Sequence, residues 1–354
     1  MKNREIYYDQ LRVLAIIGIV CCHVCCDFII INHDIMTHFK TFYMISFFTL
    51  GRFIGIPIFV MLSGALLINK NYSLGDFVKK RFNRVFVPYI FWAIIFILFT
   101  LFIYKVEFSF NLIFSIIFGS HGTIGVILWF IWMILVVYIA IFIINKILEF
   151  GKSKSESFEK RFINILFILS ILSYIYINLG SVSLSEGLDN YIAFIPYAVM
   201  GYWLTHFDFK IKSNYILLLT LIISIGGYLY FTYDVVMTSI SLNNFTAGSY
   251  FQFIVMIITF CIVLFFRFLP NNNLSSNKCI SKLILLISKY SFGIYFSHYL
   301  ILKLLQHVYL MPIKYYNHPI FWTPILLISV FVSSFVLIHI MSKIPFINKV
   351  SGSS

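Results

Sequence analysis

Charge is what this sequence has least of: 11% of its 354 residues are Asp, Glu, Lys or Arg, while 61% are hydrophobic. An ordinary soluble domain carries about a quarter charged residues, so a water-soluble fold could not cover its surface here. Long polar loops are also missing, the longest running from about Glu149 to Arg161, and there is no internal repeat, low-complexity linker or soluble appendage. One membrane domain over residues 1–354 is expected. A spaced disulfide framework is absent too, because four of the six cysteines are packed together as Cys21, Cys22, Cys25 and Cys26. That excludes a small stapled secreted fold. The first apolar run follows Lys2 and Arg4 and continues to Ile31 with no small-residue cleavage site, so it reads as a membrane helix and not a signal peptide.

What remains is a series of apolar runs, most of them about 18–25 residues long, the length that crosses a hydrocarbon core at about 1.5 Å per residue. They lie near 11–31, 44–68, 85–104, 124–148, 162–179, 190–206, 214–233, 250–270, 284–306 and 320–342. The expected fold class is therefore all-α: a polytopic transmembrane bundle of about ten spans. With the N-terminus cytoplasmic, 21 of the 26 basic residues fall inside or at inner helix ends, leaving Lys40, Arg52, Lys105, Lys303 and Lys314 on the outer side. This is the pattern of the positive-inside rule, and the even count puts the C-terminus in the cytoplasm too. The net charge of +13 is then topology, and nucleic acid is not a partner, since its binders gather cations on one polar surface. The segment from Phe108 to Phe118 is too short to span and suits the interface. The expected location is the plasma membrane, with the lipid bilayer as the first partner.

Ionisable groups inside a membrane helix are costly and usually face the bundle interior at a pathway or site. The first span holds three. Asp9 and Arg12 are three residues apart at its mouth and able to pair. His23 lies eleven residues beyond Arg12, about 16 Å up the helix and close to three full turns, so both project the same way. A cation at the mouth and an acid/base group deeper in would hold an anionic ligand and take a proton from a hydroxyl. A structural His bonded to a neighbouring helix is the plain alternative.

Arg81 and Arg84, in the segment after the second span, would be one helical turn apart and suit phosphate, or serve only as positive-inside charge. Ser63 with Gly64 reads as a close helix contact or a site, and Trp129 with Phe130 as an interfacial anchor or a site. Ser291, Tyr295 and His298 share a face at spacings of four and three. The run Cys21-Cys22-His23-Val24-Cys25-Cys26 is not a metal centre, because successive cysteines on a helix diverge by about 100° and metal ligands must converge. No metal is expected.

These residues carry a resemblance. The stretch from Tyr8-Asp9-Gln10-Leu11-Arg12 to His23 resembles the Arg-x10-His signature of the acyltransferase 3 family of integral membrane acyltransferases. Arg81-Phe82-Asn83-Arg84 before Val87-Pro88-Tyr89 is similar to its Arg-x-x-Arg segment, and Pro57 to Gly64 to its second span. Leu128-Trp129-Phe130, Met200-Gly201-Tyr202 and Ser291 to His298 follow in the family's order. Ile127 departs from it, standing where many members have His, and no hydrolase-like domain follows the last span, which resembles the stand-alone type.

The resemblance implies transfer of an acyl group, usually acetyl from acetyl-coenzyme A, to a hydroxyl of a cell-surface glycan or lipid-linked sugar. It implies His23 as general base or acyl carrier, Asp9 and Arg12 as its support, and Arg12, Arg81 and Arg84 as ligands of the donor's phosphates. Ser63, Trp129, Ser291, Tyr295 and His298 are candidate substrate-site residues. A transporter of a surface-polysaccharide precursor or acyl group is the competing class, since buried polar groups between helices suit a carrier equally well.

Overall fold

The computed structural model describes residues 6–31, 39–120, 124–155, 157–179, 188–207, 213–242, 249–269, 278–308 and 318–353. Lys2, Arg4, Lys210, Lys212 and Lys314, which entered the charge count, lie outside the described residues. Among those described the structure is helical with no strand. In chain order the helices are α1 (Ile6–Ile31), α2 (Phe39–Ile54), α3 (Ile56–Leu67), α4 (Leu74–Arg81), a π turn (Phe82–Phe86), α5 (Val87–Phe102), α6 (Phe110–Phe118) and a 3-10 turn (Ile124–Leu128). There follow α7 (Trp129–Lys152), α8 (Phe158–Leu179), α9 (Leu188–Ile192), α10 (Ile195–His206), α11 (Ser213–Ser241) and α12 (Phe253–Phe268). The chain closes with α13 (Lys278–Val308), α14 (Pro319–Met341) and α15 (Ile347–Val350).

Each expected span is met by a helix. Among the described residues, eight helical segments are long and apolar enough to cross a membrane: Ile6–Cys26, Phe42–Leu67, Leu74–Phe102, Ile124–Lys152, Phe158–Leu179, Asn214–Ser241, Cys279–His307 and Ile320–Met341. The sixth and eighth differ from expectation. With 12 and 16 residues, α10 and α12 extend for about 18 and 24 Å, short of a core about 30 Å thick. Ile195-Pro196 opens α10, and proline belongs in a first turn because its missing N–H is an orphan there anyway. The apolar run before it is therefore spent on the short α9 and a turn.

The chain forms two compact units, each made of two chain segments: Met1–Asn71 with Val137–Leu285, and Tyr72–Val136 with Leu286–Ser354. In the first unit α1 and α2 touch backbone to backbone. A Cβ on Gly51 would sit 2.4 Å from the Gly18 carbonyl oxygen and 2.7 Å from Cys22 Cβ, so only glycine permits the crossing, as at small-residue contacts between membrane helices generally. Leu11, Ala15, Ile16, Val20, Val24 and Cys25 fill the core from α1. The second span then breaks at Gly55. Pro57 has no N–H for the carbonyl of Phe53, four residues back, and Thr259 from α12, wholly buried, places its hydroxyl 3.1 Å from that oxygen. The Phe53 carbonyl freed by the break thus has a donor beside it in a medium without water.

α3 and α10 cross by the same device twice. Cβ atoms on Gly64 and Gly201 would lie 1.8 Å from Ala198 O and 2.0 Å from Met61 O. α3 ends where Asn69 turns left-handed, with φ 62°. Buried Asn145 of α7 seals that end, accepting from Asn69 N–H at 2.7 Å and donating to Leu67 O at 2.9 Å.

In the second unit Ser109 caps α6, its Oγ accepting from Leu112 N–H at 3.1 Å, and Gly119 ends it at φ 72°. A Cβ on Gly119 would lie 2.2 Å from Trp129 N, so this glycine serves both the left-handed turn and the close approach. The last carbonyls of α6 are not left bare, because Ile117 O accepts from the Tyr89 hydroxyl at 2.9 Å and Trp132 Nε1 at 3.1 Å.

Candidate functional site

Asp9 is fully buried in the first turn of α1, and its Oδ1 accepts from Arg12 Nη1 at 3.0 Å, with the arginine side chain 21% exposed. The expected pair therefore forms, and it forms because residues three apart on a helix are neighbours. His23 lies on the same helix, half-buried, beyond the Gly18–Gly51 crossing. The neighbouring cysteines remain thiols: Cys21 Sγ reaches the Phe47 carbonyl at 3.5 Å, and no group of three or more metal-ligating side chains converges among the described residues.

Ser63 does not point away from its helix, since its Oγ donates to Phe59 O at 3.0 Å. Its neighbour Gly64 makes the contact with α10. The family-like Met200-Gly201-Tyr202 supplies the other half of that crossing through Gly201. The Tyr202 hydroxyl donates to Glu159 at 2.6 Å, and that carboxylate also takes Lys152 at 2.6 Å and Asn69 at 2.7 Å.

The second unit holds the remaining candidates. Arg81 and Arg84 are not in a loop: Arg81 ends α4 and Arg84 lies in the π turn before α5. The widening follows from Pro88, which cannot donate to the carbonyl of Arg84. Val87 N–H reaches back to Phe82 O instead, one residue farther than in an α-helix. Such π turns recur at functional sites. Arg84 is exposed, whereas Arg81 lies with its guanidinium carbon 5.8 Å from the Phe77 ring centroid.

Ser291, Tyr295 and His298 are all buried on one face of α13, at 5%, 3% and 0% exposure. They are not equivalent. Ser291 Oγ donates to Ser288 O of its own helix at 2.9 Å. His298 Nδ1 lies 3.1 Å from Ile294 O, and since a carbonyl only accepts, Nδ1 carries the proton. Tyr295 donates its hydroxyl to Ile127 O, its ring lies tilted against Phe130 at 5.0 Å between centroids, and His298 lies 5.9 Å from it. The turn before Trp129 is thus tied to α13 through backbone at the position where the sequence departs from its family's His.

One cation of the second span stands away from its ends. Arg52, counted on the outer side, lies ten residues inside the span Phe42–Leu67, about 15 Å along it. Its guanidinium is 4.0 Å from the Tyr250 ring centroid and 5.6 Å from that of Phe48. Among the described residues its buried Nε has no hydrogen-bond partner. A buried donor left unpaired costs about 1–3 kcal/mol. Arg52 occupies the last turn of α2, where the carbonyl end of the helix offsets part of the charge. The broken span, Gly55-Pro57, was the sequence signal for an interior position of this kind.

A bundle of long apolar helices with polar side chains buried between them defines a polytopic integral membrane protein. The chain belongs to the acyltransferase 3 family, whose acyltransferase-domain profile matches residues 5–339, across both compact units. It is accordingly a membrane acyltransferase. No curated protein and no solved structure gives a significant match.

Proposed function

We propose that the chain is an O-acyltransferase of the plasma membrane that moves an acetyl group from cytoplasmic acetyl-coenzyme A to a hydroxyl of a cell-surface glycan or lipid-linked sugar. The observation that carries the reading is the Asp9–Arg12 pair at the start of α1, its carboxylate buried, with His23 three turns beyond Arg12, in a chain matched along its length by an acyltransferase family. His23 either takes the acceptor's hydroxyl proton or carries the acyl group as an acyl-imidazole. In both routes the acceptor oxygen forms the new C–O bond, the thioester C–S bond or the acyl-imidazole C–N bond breaks, and coenzyme A leaves as the thiol. Asp9 holds Arg12 in place. Arg12, Arg81 and Arg84 bind donor phosphates, for which guanidinium forks are suited. Trp129, Tyr295 and His298 serve the substrate side, and the backbone tie from Tyr295 to Ile127 supports the view that this part of the site is organised without the family's histidine. Ser63 and Ser291 contribute by fixing their helices. Both termini are cytoplasmic on this reading, and the whole chain works as one enzyme domain.

The test is thiol release from acetyl-coenzyme A by purified protein with a crude glycan extract as acceptor. Release lost in His23→Ala is expected. Full release by that variant overturns the role of His23. An absence of both release and coenzyme A binding in the wild type favours the transporter.

A further inference from the structure

We infer that Arg52 is the cation of an oxyanion-binding subsite in the interior of the first unit, taking the phosphate of an amphiphilic ligand. The inference goes beyond the acyl-transfer reading, taking from it only the place of His23 on α1, and its test is read separately from that reading. Arg52 lies in the membrane-spanning part of α2, and no carboxylate pairs with it among the described residues. Among the described residues, the groups its charge acts on include Cys22 on α1, Tyr197 on α10 and Tyr250 before α12. None of these is an anion at neutral pH.

The cation is held in place by its neighbours. The Tyr250 ring lies against the guanidinium at 4.0 Å, and the chain around Tyr250 is itself pinned: Tyr197 donates its hydroxyl to Tyr250 O at 2.8 Å, and Asn178 donates to Phe251 O at 2.8 Å. A ring shelf occupies one side of the guanidinium and leaves its in-plane donors to act. Of these, Nε is buried and lacks a partner. A guanidinium edge offers two parallel N–H groups, which match two oxygens of one phosphate.

Gly51 brings this group to α1. Because the α1 and α2 backbones touch at Gly18, Gly51 and Cys22, Arg52 is level with the turn of α1 just before His23. Cys26, which with Cys22 lies near Tyr250, falls on the arc between Cys22 and His23 at about 100° per residue. A ligand phosphate at Arg52 therefore sits beside the face of α1 that bears His23. At this depth the rest of the ligand must be an apolar chain or a flexible arm, which leaves a lipid phosphate and the phosphates of coenzyme A as the two sources.

The test uses full-length protein in non-ionic detergent, with equilibrium binding and the unfolding midpoint measured for phytyl phosphate, phytol and coenzyme A. Arg52→Gln is expected to weaken binding of one of the two phosphates at least tenfold and Arg52→Lys to weaken it less, with phytol bound equally by all. The phosphate affected identifies the source. Equal binding of both phosphates by wild type and Arg52→Gln, or binding of neither, overturns the inference. Should Arg52→Gln fail to fold, Tyr250→Leu keeps the cation and removes its shelf, and unchanged phosphate binding there overturns it equally. Thiol release measured in the same preparations separates the two readings: Arg52-dependent binding without release removes the acyl-transfer proposal alone.

Discussion

A methyl group added at Gly64 should separate two helices. The Cβ would lie 1.8 Å from Ala198 O, and real Cβ contacts essentially never fall below 3.0 Å. The α3 and α10 backbones must therefore part by at least about 1.2 Å, since both neighbours are main chain and neither can rotate away. Overpacking of this kind costs about 1–3 kcal/mol, and a gap of 0.5–1 Å already forfeits about a quarter to a half of each lost dispersion contact. Gly201→Ala meets Met61 O at 2.0 Å across the same crossing and should cost a similar amount. One separation relieves both clashes, so the double variant should cost clearly less than the sum of the two. Gly226 in α11 supplies the contrast, because a Cβ there meets nothing within 4 Å. Gly226→Ala should stabilise by about 0.5–1 kcal/mol through helix propensity. Unfolding midpoints of the four variants in one detergent decide it. Gly64→Ala as stable as Gly226→Ala would refute the crossing.

Asn145→Ala removes both bonds that seal the end of α3 and leaves Leu67 O and Asn69 N–H to find new partners, a loss of about 2–4 kcal/mol in thermal unfolding. Asp9→Asn should destabilise more than the double change Asp9→Asn with Arg12→Gln, because the single change strands a cation, and equal midpoints would contradict the pairing. Tyr295→Phe should cost about 1 kcal/mol by losing its bond to Ile127 O, checked by the same midpoints, while leaving the helices intact by circular dichroism.

Much of this fold is legible from local pattern. Apolar runs of membrane length become helices wherever they occur, and Asp9 and Arg12 pair because helical spacing alone brings them together. Contacts between distant segments are not written in a single span. Nothing near Tyr250 announces that Asn178 and Tyr197 fix it against Arg52. Charge counting asks only which side a residue is on, so it is silent on the rings of Tyr250 and Phe48 that flank Arg52. Pro57, Pro88 and Pro196 each stood in the sequence as punctuation, and each marks a place where the structure departs from an uninterrupted helix. The hydroxyls of Ser63 and Ser291 bond back to their own helices, as a lone hydroxyl in apolar surroundings does, a geometry that residue type alone leaves unstated.

The most direct test of the central claim is thiol release from acetyl-coenzyme A, followed in one detergent preparation with wild type, His23→Ala and His23→Gln at matched unfolding midpoints. The account predicts release by the wild type and at least a hundredfold loss in both variants, the scale of a lost acid/base group of about 10²–10⁴. Release by folded His23→Ala at the wild-type rate would contradict it.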